Sequence, residues 1–108
     1  MPQSFTPEQA NKLLPQVRSI VSRIVELKKE IDVEDGIKRQ EYTDELEVLV
    51  GRLDEMGIEL KDMDIGLIDF PAKKFDEPVY LCWKLGEREV LYWHDLQSGF
   101  KGRRPLGP

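Results

Sequence analysis

Residues 66–106 read GLIDFPAKKFDEPVYLCWKLGEREVLYWHDLQSGFKGRRPL, and this stretch decides the architecture. Its apolar residues come in short runs bounded by Pro, Gly and acidic residues rather than at helical spacing. Residues 67–70 read as a strand ended by Pro71, residues 79–85 as another and residues 90–94 as a third, with residues 86–89 turning between the last two. Working back, Ile58 and Leu60 alternate with Glu59 and Lys61, which adds a short strand, and Asp62-Met63-Asp64 is its turn. Links this short favour an antiparallel meander.

Before Gly57 the period is different. Thr6-Pro7-Glu8-Gln9 is a helix start: the Thr hydroxyl caps, Pro fits the first helical position, and Gln9 reaches back as in a capping box. Ala10, Leu13, Val17, Ile20, Ile24, Leu27 and Ile31 follow three and four apart, and Leu14 and Val21 widen the stripe enough to touch a second helix and a sheet. Pro15 predicts a kink near residues 11–15 rather than a break. Residues 32–36 are the turn of a helical hairpin, with Asp35 as a candidate cap. Tyr42, Leu46, Leu49, Leu53 and Met56 give the second helix, which Gly57 closes in the left-handed conformation. Gly51 marks either a close approach or simple tolerance.

The fold class is therefore α+β: an N-terminal antiparallel two-helix hairpin, about residues 6–56, packed on a C-terminal antiparallel sheet of about four strands. The β meander covers residues 58–95 and an irregular tail residues 96–108, all in a single domain of residues 1–108. Helices of this length extend roughly 37 and 30 Å at 1.5 Å per residue, long beside a small sheet. Apolar residues at the far tip, Ile31 and Ile37, are then covered by the hairpin itself or by a second chain, and we expect a homodimer through the helical hairpins.

Composition narrows the function classes. The 108 residues are 40% hydrophobic and 34% charged, with a net charge of -5, which disfavours nucleic acid and acidic membranes, because such binding draws on Lys and Arg against phosphate. One Cys excludes an internal disulfide and any zinc site built from Cys pairs. The first residues carry no positive segment followed by an apolar one, and no apolar run approaches the ~20 residues of a membrane span. A cytoplasmic protein without membrane contact is expected, and no cofactor is implied.

Among single residues, Cys82, His94 and Asp69 form the candidate metal or catalytic set. A two-residue loop at Glu87-Arg88 places Leu85 opposite Val90, Trp83 opposite Tyr92, Cys82 opposite Trp93 and Leu81 opposite His94, so Cys82 and His94 point to opposite faces. A one-residue bulge would reunite them. The plain alternative makes Cys82 a small buried hydrophobe and His94 a hydrogen-bonded strand-end residue. Asp69, between Ile68 and Phe70, is a general base or an anchor for the tail in one reading, within reach of His94 or Arg103, and a structural salt bridge in the other. Lys101, Arg103 and Arg104, with Phe100, offer charged forks and stacking to a phosphate or carboxylate. The alternative is that Phe100 and Leu106 pin the tail while an Arg pairs with Asp69 or another acid. Tyr80, Trp83, Tyr92 and Trp93 need only packing to explain them, and the acids around them, Glu77, Glu87, Glu89 and Asp95, outnumber Lys84 and Arg88, against an RNA-stacking sheet. No phosphate-binding glycine loop, H-E-x-x-H, paired C-x-x-C, nucleophile elbow or complete calcium loop is present.

GLIDFPA at 66–72, LCWKLGE at 81–87, YWH at 92–94, GFKGRRPL at 99–106 and the helical LLP at 13–15 together resemble the domain of unknown function 2203 family, small uncharacterised prokaryotic proteins. The resemblance spans nearly the whole chain and implies no activity, substrate or cofactor. The first expectation is a small cytoplasmic interaction or scaffold protein without catalytic activity. The second is a small-anion or phosphate-ligand module using Asp69, His94, Lys101, Arg103 and Arg104. The third is a metal-dependent enzyme using Asp69, Cys82 and His94.

Overall fold

The structure, a computed structural model, describes residues 4–107. Helix α1, Pro7–Val33, begins as its sequence predicts: the Gln9 N–H donates to the Thr6 hydroxyl at 3.1 Å, and the Thr6 N–H to the Gln9 side chain at 2.9 Å. Two donors near the helix start are thereby satisfied. The helix runs unbroken through Pro15. Helix α2 spans Gly36–Glu55. Asp35 stands at its N-cap position, but its side chain makes no capping bond, contrary to the expectation. Gly57 ends the helical segment at φ 81°, a conformation that costs Gly nothing. At Gly51 an added Cβ would meet nothing within 4 Å, so tolerance, not close approach, explains that glycine.

Nine positions of α1 are buried against two of α2, Leu49 and Leu53. The wide stripe of α1 serves both neighbours: α2 on one side and the sheet on another. Trp83, Phe70, Ile24, Leu27 and Leu53 lead the fully buried side chains, each contributing about 1.5–3 kcal/mol by leaving water. Gly66 shows how close the layers lie. Its φ is 67°, and a Cβ there would fall 2.8 Å from Leu85 Cβ and 2.8 Å from Val21 Cγ1. Only glycine allows that turn against α1.

The sheet has five antiparallel strands in chain order: β1 Glu59–Asp62, β2 Leu67–Lys74, β3 Glu77–Lys84, β4 Tyr92–Asp95 and β5 Arg104–Pro105. The fifth lies in the tail expected to be irregular, which instead forms a 3-10 turn, Gly99–Gly102, and then pairs Tyr92 with Pro105 and Trp93 with Arg104. The outer edge of β4 offers free backbone groups, and the returning chain takes them. Leu106 adds an N–H bond to the Leu91 carbonyl at 2.8 Å and packs on the core.

Pro71 does not end β2 as expected. Pairing with β1 stops at Asp69, so the proline nitrogen, with no hydrogen to give, falls where no strand needs it. Its carbonyl accepts the Phe5 N–H at 2.7 Å.

The β3–β4 register corrects the sequence reading by one residue. Cys82 pairs with Tyr92 and Tyr80 with His94, and the two-residue turn at Glu87-Arg88 does not form. Instead the Glu87 N–H donates to the Lys84 carbonyl at 3.0 Å, and Trp83 Nε1 donates to the Glu87 carbonyl at 2.9 Å. Val90, buried, is held by the side chain of Asn11 on α1. Cys82 and His94 consequently share a face of the sheet.

Candidate functional site

Residues opposite one another in a ladder share a face. Glu59, Asp69, Cys82, Tyr92 and Pro105 form one such row across all the strands, and Tyr80 and His94 oppose each other two residues along. The alternate residues Ile68, Phe70, Leu81 and Trp83 fill the core against α1. The row therefore stands on the sheet face turned away from the helices. There the tail covers it, with Leu96, Gln97, Gly99 and Phe100 lining the same small cavity as Asp69 and His94.

Asp69 and His94 are each 3% exposed, the only charged or polar side chains among the described residues that are buried to this degree. His94 Nε2 lies 3.0 and 3.1 Å from the two Asp69 carboxyl oxygens, and Nδ1 lies 2.7 Å from the Asp95 carbonyl. A carbonyl only accepts, so Nδ1 carries a hydrogen. One further proton then sits between Nε2 and the Asp69 carboxyl. The pair is neutral as a unit, which is how two ionisable groups lie together in a site that excludes water.

Asp95 does two things beside its carbonyl contact. Its Oδ1 accepts the N–H groups of Ser98 at 2.7 Å and Gln97 at 2.9 Å. Those bonds, Ser98 first, hold its carboxyl below the usual range and shape the turn that carries the tail over His94.

Cys82 lies directly opposite Asp69 and is fully buried. Burial, then the neighbouring Asp69 charge, pushes its thiol up to about 12. A thiol so protonated is a poor nucleophile, and both nitrogens of His94 are already engaged elsewhere. The Cys–His nucleophile and base arrangement is thus not built here. What is built is a convergence of donors: one atom each from Asp69, Cys82 and His94 lie within 4.8 Å of one another. Carboxylate oxygen, thiol sulfur and imidazole nitrogen are the donor types that zinc and its neighbours use. The Nδ1–H bond to Asp95 fixes the ring as metal-bound histidines are usually fixed, by a partner on the other nitrogen.

The surroundings include residues that the sequence did not single out. Glu59 accepts from Lys61 Nζ at 2.8 Å and from the Tyr80 hydroxyl at 3.1 Å. The Lys61 ammonium is raised chiefly by that Glu59 bond, and the Tyr80 hydroxyl is raised by burial and then by Glu59. Lys61 and Tyr80 both line the cavity over Asp69 and His94, a space of about 190 Å³. Their parity along the strands matched Asp69 and Cys82, but that signal is readable only once the register is known.

The tail residues divide. Arg103 pairs with Glu87 at 2.5 Å and approaches the Cys82 carbonyl at 3.4 Å, with its guanidinium 4.1 Å from the Tyr92 ring centre and 4.9 Å from that of Phe100. Burial is the largest single influence and opposes its charge, but the Glu87 bond together with the fields of Cys82, Glu87 and Tyr92 outweighs it, and its pKa is raised. Its partner is Glu87, not Asp69. Arg104 lies over Trp93 at 5.2 Å, and Lys101 is exposed. Neither joins an ion pair among the described residues. The structure thus brings Asp69, Cys82 and His94 together and leaves Lys101 and Arg104 outside the cavity.

No helix among the described residues is long and apolar enough to cross a membrane. No curated protein and no solved structure is similar enough to this chain to count as a match. A family model described as an uncharacterized conserved protein, DUF2203, matches residues 3–106, and the chain belongs to that family.

Proposed function

We propose that this domain binds one divalent transition-metal ion, zinc being the best fit, through Asp69, Cys82 and His94. The observation that carries the reading is the convergence of three buried donors within 4.8 Å. Tetrahedral zinc with ligands at 2.0–2.3 Å sets its donors roughly 3.3–3.8 Å apart, so the side chains need to move by about an ångström. Two acidic donors balance the ion's charge. Three protein donors leave a fourth position, and the cavity bordered by Asp69 and His94 is where it opens.

The test is metal stoichiometry. Protein stripped with chelator and titrated with zinc is expected to take up one equivalent, while Cys82→Ser and His94→Ala lose it with their fold intact by circular dichroism. Wild-type protein that takes up none would end this reading. A buried thiol that must stay reduced to hold the ion suits a reducing compartment, and we place the protein in the cytoplasm on that ground.

A second reading, a non-catalytic interaction protein that self-associates through its helical hairpin, is supported by Val33, Ile37 and Val48, which are 79%, 80% and 58% exposed. Light scattering at micromolar concentration is expected to give a dimer mass that Ile37→Glu with Val48→Glu reduces to a monomer. A monomeric wild type would overturn it.

A further inference from the structure

The cavity next to the donors carries chemistry that metal ligation does not use. It is about 190 Å³ and is lined by Lys61, Tyr80 and Gln97 as well as by Asp69 and His94, with Leu67, Leu96 and Phe100 as apolar walls. We propose that it receives a small carboxylate, one of whose oxygens takes the fourth position on the metal while the other meets Lys61. This rests on the metal reading above and names the ligand class of that site.

Size limits the occupant first. The volume is below the 300–1,000 Å³ of ordinary small-molecule pockets, so a few heavy atoms fill it. Charge limits it next. Among the described residues, Lys61 is the one Lys or Arg lining the cavity. Its Nζ gives one hydrogen to Glu59 at 2.8 Å, and an ammonium has three to give. One cation of this kind suits a monoanion. A phosphate dianion asks for more, and the groups that would supply it are not there: Arg103 is committed to Glu87, and Lys101 and Arg104 do not line the space. The cavity walls are as mixed as a short carboxylic acid is, with a charged end and an apolar body. Tyr80, which donates to Glu59 at 3.1 Å, keeps lone pairs free to accept and so also suits a ligand that carries a hydroxyl.

The full chain loaded with cobalt(II) tests both levels, because cobalt reports its own ligands. Thiolate-to-cobalt charge-transfer absorption is expected on loading, and its absence would overturn the metal reading together with this one. With cobalt bound, acetate is expected to shift the visible ligand-field bands and to saturate, while inorganic phosphate at equal concentration leaves them in place. Lys61→Met is expected to raise the half-saturating acetate concentration about tenfold per bound cobalt. Bands that acetate does not move, that phosphate moves equally, or that respond to acetate as well in Lys61→Met as in wild type would overturn the carboxylate proposal while leaving the metal in place.

Discussion

Asn11 on α1 holds Val90 by both of that residue's backbone groups: the Val90 N–H donates to Asn11 Oδ1 at 2.6 Å, and Asn11 Nδ2 donates to the Val90 carbonyl at 3.3 Å. A side-chain amide thus does what a neighbouring strand would do, one residue before the chain reaches Leu91 and enters β4. With Val90 turned to the helix, the next residues fall into the register that sets His94 beside Asp69.

Asn11→Ala should leave both groups of a residue only 2% exposed without partners, at a cost of about 2–4 kcal/mol. Urea denaturation measures it. Asn11→Asp keeps the acceptor and loses the donor, so it should fall between alanine and wild type.

Metal uptake should release the proton on the Cys82 thiol, which is pushed up to about 12. Zinc affinity is then expected to rise at least about tenfold per pH unit around neutrality. Calorimetry in buffers of different ionisation enthalpy counts the protons directly, and a release of none would contradict the assignment.

Without metal, the same thiol ties stability to alkaline pH. Its folded value is raised from 9.0 to about 12, so above 9.0 the unfolded chain gives up a proton that the folded chain retains. The stabilisation is complete below that point and is lost as pH rises through the window, with a slope approaching about 1.4 kcal/mol per pH unit. Parallel urea titrations of metal-free wild type and Cys82→Ala should show this slope only in the former.

Glu87 secures the tail. It accepts the Lys84 N–H at 2.8 Å and pairs with Arg103, the two side chains being 19% and 13% exposed. Glu87→Gln retains an acceptor for Lys84 but leaves the guanidinium without its counter-charge, which should cost about 2–3 kcal/mol. Faster tryptic cleavage after Lys101 and Arg103 would show that the loss is felt at the tail.

The β2–β3 hairpin turns through Phe75 at φ 52° and Asp76 at φ 64°. Left-handed conformation at both positions suits Asn-Gly, whereas Phe-Asp is strained there. Asp76→Gly is expected to stabilise the fold by about 1 kcal/mol, seen as a higher thermal midpoint.

The helices were readable because their determinants are local: the Thr6–Gln9 box and stripes that repeat every three or four residues. Strand positions followed from alternation and turn residues. What escaped was long-range. The register depends on Asn11, 79 residues from Val90 in sequence, and the sequence could show only that one residue of slip would bring Cys82 and His94 together. Asp69 was legible as an acid out of place on an apolar strand, and His94 as one of its reachable partners. That Arg103 chooses Glu87 was not, since several acids lie within reach of a tail whose path is set by β5.

The two rims of the sheet have a consequence for handling the protein. One rim is β1, four residues that read ELKD, and the other is β5, two residues that include Pro105. Short, charged or proline-bearing rims make poor templates for another chain's strand. Polymerisation by strand addition is blocked at both ends, so a concentrated or partly unfolded sample should resist fibril growth for as long as the tail stays docked.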